Sequence, residues 1–278
     1  MDTQGTLSWS LVHDKLGTKT RACAYDRAGL MWSDNRSATA DLLGSIATDL
    51  HKTLEIANIQ PPYILVGHSY GGSYITKYTE LYPDSVSGLV FIDSTHPEQM
   101  ALVKNISVPL LTAIQQWGNK ALNPVFSPVF NALGITRILT AFDNNTLPNQ
   151  TNYDAQAVKA FLPTSNKTLS QDIENYSNGF KQISHYRDFG DRPIYVLANI
   201  VNYIKMSDEQ LIALGLNRNL VDAVMKQDLY MFNDQASWSS ISKLVTLHDF
   251  SHYIQFDRPN EVIKAVEWVF KKLKEMEN

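Results

Sequence analysis

Leu65-Val66-Gly67-His68-Ser69-Tyr70-Gly71-Gly72 is the stretch from which the fold of this chain is read. The apolar run Tyr63-Ile64-Leu65-Val66 before it has the length of a strand. After it, Tyr74, Tyr78, Leu81 and Tyr82 recur at helical spacing, so the context is strand, tight turn, helix. Gly67-His68-Ser69-Tyr70-Gly71 fits the pattern Gly-x-Ser-x-Gly, which sets a serine on a strained turn. Its hydroxyl is then exposed, and the glycines let the strand and helix backbones come close. The same turn aims the helix N-terminus, with its unpaired N–H groups and positive dipole end, at the place where an oxyanion would form.

Working outward, the chain alternates. Residues 9–16 read as a short amphipathic helix and residues 20–25 as a buried strand, ended by the turn residues Asp26-Arg27-Ala28-Gly29. Leu42, Leu43, Ile46, Leu50, Leu54 and Ala57 mark one face of a helix over 40–58, stopped by Pro61-Pro62. The strand and helix around Ser69 follow, then a continuous apolar strand, Ser87-Gly88-Leu89-Val90-Phe91-Ile92-Asp93. Unbroken apolar strands between helices indicate a parallel sheet covered on both faces. From about Pro97 the alternation lapses. Apolar helical segments are expected at 108–117 and 126–142, and polar stretches at 144–152 and 165–178. Alternation returns with strands at 193–198 and 243–247 and a final helix over 259–272, whose buried side is read as Val262, Ile263, Val266, Val269 and Phe270. The expectation is an α/β chain with a mostly parallel, doubly wound sheet: core over 1–96, a helical cap insertion over 97–190, and the rest of the core over 191–278.

Composition excludes several classes. The chain has 278 residues, 44% hydrophobic and 19% charged, with a net charge of -4. That is enough for one sizeable core, and there is no basic patch of the kind that binds nucleic acid. Cys23 is the single cysteine, which rules out an internal disulfide and a cysteine-based metal site. It is read as a small buried hydrophobe in the strand at 20–25. No apolar run long enough to span a membrane occurs, and the first twenty residues lack the pattern of a secretory leader, so the sequence as it stands reads as cytoplasmic. No cofactor and no metal is implied.

A serine hydroxyl is a weak nucleophile unless a base takes its proton and a third group orients that base. Of the seven histidines, His252 is best placed. It lies a few residues beyond the last apolar strand and before the final helix, on the carboxyl-end rim of a parallel sheet, where Ser69 also lies. His248 is its competitor. For the carboxylate, Asp93 directly follows the strand next to the serine's, with Asp208 and Asp234 as alternatives; Asp208 sits in a Ser-Asp-Glu stretch that looks like a helix cap.

Four segments occur in the order seen in capped members of the α/β-hydrolase superfamily, which the chain resembles. They are Tyr25-Asp26-Arg27-Ala28-Gly29-Leu30-Met31-Trp32-Ser33, Gly67 to Gly72, Phe91-Ile92-Asp93-Ser94-Thr95-His96-Pro97-Glu98, and Ser251-His252-Tyr253-Ile254-Gln255 through Pro259. The resemblance implies a nucleophile at Ser69, a general base at His252, an orienting acid at Asp93 and an oxyanion contact from the backbone N–H of Tyr70. A serine rather than an aspartate at position 69 disfavours the carboxylate-nucleophile chemistry of haloalkane dehalogenases and epoxide hydrolases. Three departures stand out: Met31 and Ser251 occupy positions where the family commonly has glycine, and the chain begins where the family's glycine loop, donor of a second oxyanion N–H, would be ending. The expected fold is therefore N-terminally shortened. Residues 20–25 and 63–66 must then pair directly, recruit another segment, or leave backbone groups unpaired.

The function expected is serine-dependent cleavage of an ester or related acyl bond in a small molecule. The alternatives are a catalytically weak or inactive hydrolase-fold protein that binds a ligand, and acyl transfer to an acceptor other than water. Val108, Leu110, Leu111, Trp117, Val125, Phe126, Val129 and Phe130 would give the cap an apolar inner surface suited to hydrophobic substrates, or else form the cap's own core.

Overall fold

A computed structural model describes residues 4–35, 39, 41–99, 158, 161, 164–172, 175–200, 207–213, 217–248 and 252–277. A short 3-10 turn, Gly5–Trp9, leads into α1 (Ser10–Gly17), followed by α2 (Leu42–Ile56), β1 (Tyr63–His68), α3 (Gly71–Leu81) and β2 (Val86–Ile92). After the helical stretch at 164–172 come α4 (Tyr176–Ile183), β3 (Ile194–Asn199), α5 (Asp208–Ala213), α6 (Arg218–Ser237), β4 (Ser242–Leu247), α7 (Ile254–Asp257) and α8 (Pro259–Met276).

Among the described residues the sheet has the order β1-β2-β3-β4, and each neighbouring pair is parallel. Alternate side chains of the buried strands go to opposite faces. Leu89 and Phe91 of β2, with Ile194, Val196 and Ala198 of β3, pack against α2, α3 and α6 through Ala47, Leu54, Ile75, Tyr78 and Phe232. Val90 and Ile92, with Tyr195 and Leu197, pack against α1 and α8 through Val12, Leu16, Val262, Val266 and Val269. The sheet is thus wound on both sides. Gly88 lets α8 come close to β2, because a Cβ there would lie 2.4 Å from Val269 Cγ1.

Several expectations need correction. Residues 20–25 form no strand, and β1 ends the described sheet. A strand exists only where a partner takes up its N–H and C=O groups, and β2 is β1's partner here. Cys23 is accordingly exposed rather than buried. On α3 the buried positions are Gly72, Ser73, Ile75, Thr76, Tyr78 and Thr79, while Leu81 is 43% exposed. The threonines enter the core because each hydroxyl donates one turn back, Thr76 to the Gly72 carbonyl at 2.8 Å and Thr79 to that of Ile75 at 2.7 Å. Phe270 of α8 also lies outward, 38% exposed. The polar residues Ser165, Asn166, Thr168 and Asp172 are buried. The expected segments at 108–117, 126–142 and 144–152, with the apolar residues named for the cap, lie outside the described residues. The sequence pattern marks no helix at 218–237, where the twenty-residue α6 lies. Its helical face, with Val221, Met231, Phe232, Gln235 and Ala236 buried, is interrupted by enough polar residues to hide the period.

The glycines at the β1–α3 turn are not equivalent. A Cβ on Gly67 would lie 2.5 Å from the Gly71 carbonyl oxygen and 2.8 Å from the Gly72 nitrogen, and one on Gly72 would lie 2.4 Å from Ser94 Oγ, whereas one on Gly71 would meet nothing within 4 Å. The close approach therefore rests on Gly67 and Gly72. Backbone cannot yield as a side-chain end can, so Gly67→Ala is expected to lower stability by roughly 2–4 kcal/mol, while Gly71→Ala changes it by less than about 1 kcal/mol. Urea denaturation of the two variants checks the contrast.

Candidate active site

The site forms where β1, β2 and β3 end. In the parallel register His68 lies beside Ile92 and Ile92 beside Leu197, so the residues that follow reach one rim together. Ser69 follows β1 and has φ 53°; Asp93 follows β2 and has φ 40°. Both are in the left-handed region, where a residue with a Cβ is strained. The backbone around them is stitched across the strands. Ser69 N–H donates to the Ile92 carbonyl at 3.0 Å, Thr95 N–H to that of Ser69 at 3.1 Å, and Asp93 N–H to that of Leu197 at 2.7 Å.

The carboxylate of Asp93 is held at both oxygens. Oδ1 accepts from the Asn199 N–H at 3.0 Å, and Oδ2 lies 2.6 Å from Nδ1 of His252. Asp93 is 11% exposed and His252 46% exposed, so the pair has one sheltered end and one open end. An imidazole whose Nδ1–H is given to a carboxylate keeps Nε2 as the basic nitrogen. His252 sits just before α7, whose Ile254, Gln255 and Phe256 are buried and anchor the loop.

The ring of His68, the residue before Ser69, lies 4.6 Å from that of His252. The Ser69 turn, the His252 imidazole and the Asp93 carboxylate thus converge. Ser69 itself is only 5% exposed, so its hydroxyl does not stand open at the rim in the way that the turn pattern suggests. The chain after β2 folds back onto the turn, with the Thr95 N–H donating to the Ser69 carbonyl and a 3.1 Å bond between the Ser73 and Thr95 hydroxyls. Tyr70 begins α3 with its side chain buried, ring against Tyr74 and Phe180 and hydroxyl directly over Gly179 of α4.

The competing residues lie elsewhere. Asp234 of α6 accepts from Trp238 Nε1 and pairs with His96 Nε2, each at 2.9 Å, and is 3.3 Å from Arg187. Asp208 pairs with Arg218 at 2.7 Å. His248 directly follows β4 and is exposed. It is His252 that meets Asp93. Three contributors were not singled out from the sequence. Asn199 acts through its backbone, for which no sequence signal exists. His68 falls at the variable position of Gly-x-Ser-x-Gly, which carries no signal of a role. Asp228 of α6, half-buried, has its carboxyl pushed up to about 7 by burial and then by the charge of Asp93. Among the described residues no cluster of His, Cys, Asp and Glu could hold a metal ion, and no helix is long and apolar enough to cross a membrane.

With this geometry in view, comparison places the chain in a family. A family profile described as the alpha/beta hydrolase fold matches residues 8–259, and the chain belongs to that family. An uncharacterized protein of Schizosaccharomyces pombe is 24% identical over 190 residues, 62% of this chain and 34% of that protein, so the chain spans about a third of that relative's length. A Pseudomonas aeruginosa structure bearing the name epoxide hydrolase superposes with a TM-score of 0.66 at 12% identity, covering 98% of this chain and 86% of that one. A thermophilic esterase from Thermogutta terrifontis superposes at 0.57 and 15% identity, covering 97% and 86%. At such identities the structures share the fold.

Asp228 permits a test by stability. A carboxyl whose folded pKa is raised above its unfolded one binds its proton more tightly when folded. Its penalty is absent well below the unfolded value of 3.8, still small at about pH 4, grows as pH rises, and is complete above about 7. Asp228→Asn is therefore expected to stabilise the protein by about 1–3 kcal/mol at pH 8, a range discounted for partial solvent access, and by close to nothing at pH 4. Thermal unfolding of both proteins at the two pH values measures the difference.

Proposed function

We propose that the chain is a serine hydrolase cleaving an ester or related acyl bond of a small, hydrophobic substrate through an acyl-serine intermediate. The observation that carries this reading is the 2.6 Å contact between His252 Nδ1 and Asp93 Oδ2 at the rim where β1 turns through Ser69. In this reading Ser69 Oγ attacks the acyl carbon while Nε2 of His252 takes its proton. The tetrahedral oxyanion is met by the Tyr70 backbone N–H at the head of α3, where the helix dipole is positive. Collapse expels the alcohol, protonated by His252. Water then attacks the acyl carbon as Nε2 takes its proton, the bond to Ser69 Oγ breaks with that proton passing to the serine, and the acid leaves; Asp93 stabilises the imidazolium in both halves. Residues 97–190 are proposed as a cap over this rim, and substrate size and apolarity would be set there.

A serine at the turn separates this reading from one in which a carboxylate attacks, whatever the names of structural neighbours. The test is labelling with a fluorophosphonate, followed by hydrolysis of nitrophenyl esters of increasing chain length. Wild type is expected to take one label, at Ser69, and Ser69→Ala none. Asp93→Asn, which leaves His252 without its anionic partner, should lower kcat by about 1000- to 10000-fold with a smaller change in KM. A folded wild type that takes no label, or a Ser69→Ala variant that labels equally, overturns the assignment.

A further inference from the structure

His68 is buried at 8% exposure, between the nucleophile turn and the loop that carries His252. Its Nε2 lies 2.7 Å from the backbone carbonyl oxygen of His252, and its Nδ1 lies 3.4 Å from Nε2 of Gln255, itself 1% exposed. A carbonyl only accepts and an amide NH2 only donates, so the two partners dictate one tautomer: Nε2–H donating to His252 and Nδ1 accepting from Gln255. The His68 ring also packs 4.6 Å from the ring of His252 and 5.5 Å from that of Tyr253. One side chain thus grips the His252 loop at its main chain and at its rings. Through the backbone it is joined directly to Ser69.

We propose that His68 is a positioning residue that sets the His252 imidazole relative to Ser69, by tying the main chain of the one to the residue adjoining the other. The inference rests on the hydrolase reading for its kinetic consequence, but the positioning is a property of the structure by itself. Asp93 fixes the Nδ1 end of the imidazole, yet one hydrogen bond leaves the ring free to swing about it. The loop position must be fixed by a second contact, and the carbonyl of His252 is where His68 applies it. Histidine suits the place because burial, and then the neighbouring His252, depress its basicity to about 3, so that it stays neutral. A lysine or arginine could make the same hydrogen bond but would hold a permanent charge against the imidazolium that forms during proton transfer.

Three substitutions separate positioning from packing. Gln can donate from near the place of Nε2 and accept from Gln255, Asn is too short to reach the His252 carbonyl, and Phe keeps the ring volume without either bond. His68→Phe and His68→Asn are expected to lose about 10- to 100-fold in kcat with KM changed less than about 3-fold, and His68→Gln to recover most of that loss. The readout independent of catalysis is the downfield proton resonance of the His252 Nδ1–H bonded to Asp93, with the imidazole titration followed by NMR. Wild type and His68→Gln should keep the resonance, and the Phe and Asn variants should broaden or lose it. If His68→Phe does not fold, the Gln and Asn pair decides: a folded Asn variant that matches Gln in rate and in resonance overturns the proposal. So does a Phe variant with wild-type values in both. A wild type that takes no fluorophosphonate label removes the hydrolase reading, and the NMR comparison still decides the positioning.

Discussion

Two non-glycine residues in left-handed conformation, Ser69 and Asp93, stand at the ends of adjacent parallel strands, and the site depends on their being held there. Each such conformation costs of order 1 kcal/mol or more and persists only where the surroundings over-determine it. Here the surroundings do so reciprocally. Ser69 donates to the last residue of β2, the segment after Asp93 returns to the Ser69 carbonyl, and Asp93 is bonded through its N–H to Leu197 and through its side chain to the end of β3. Neither turn could relax without breaking the other's bonds. Local strain and sheet register are therefore one constraint, and the aligned register of β1, β2 and β3 brings a serine and a carboxylate from separate segments to one edge.

A second set of polar contacts joins α3 to the helical stretch at 164–172. The guanidinium of Arg27 donates to Asp172 at 2.9 Å and stacks on Tyr74 of α3, 4.5 Å from the ring centre, while the Tyr74 hydroxyl donates to the same carboxylate at 3.3 Å. The Thr168 hydroxyl donates to the Gly29 carbonyl and the Met31 N–H to the Ser165 hydroxyl. Through these bonds the loop at 26–31 fastens the helical stretch at 164–172 to α3. Arg187 does the same lower down, reaching Glu98 at 2.7 Å and Asp234 at 3.3 Å, so that the two ends of the stretch between 98 and 187 are clasped together. Buried ion pairs contribute little net stability, but breaking one is costly because the remaining charge is stranded. That asymmetry suits contacts that fix a relative position.

What was legible in the sequence followed from period and punctuation. Continuous apolar runs bounded by turns located all four strands of the described sheet, most directly β2 and β3, which are buried on both faces and leave no polar alternation to confuse the reading. The strand expected at 20–25 failed for the complementary reason: apolar composition describes what a segment could bury, and only a neighbour can satisfy its backbone. Within the stretch at 165–178 that reads as polar, Ser165, Thr168 and Asp172 are buried, because their partners lie in the loop at 26–31, about 140 positions away. No local pattern carries such a pairing. Asn199 contributes a main-chain N–H to the site, and an N–H is common to every residue but proline.

Asp234 and Asp93 show how far residue type alone can go. Each lies beside a histidine, at 2.9 Å in one case and 2.6 Å in the other, and on contact chemistry the two pairs look alike. Their surroundings differ. His96 is 2% exposed, receives the Glu98 N–H on Nδ1 at 3.2 Å, and lies with its ring centre 5.8 Å from that of Trp238. Both of its nitrogens are engaged, so it has no nitrogen left for proton transfer. Its carboxylate partner is shared with Trp238 and Arg187, which holds the carboxyl below its ordinary range, the bonds from His96 and Trp238 outweighing the cost of burial. The His252 and Asp93 pair has the opposite arrangement: a sheltered carboxylate with two donors and an imidazole nearly half open, beside the one strained turn that carries the candidate nucleophile. A histidine with both nitrogens engaged, as His96 is, is spent as a base, whereas the fold leaves the His252 ring nearly half open.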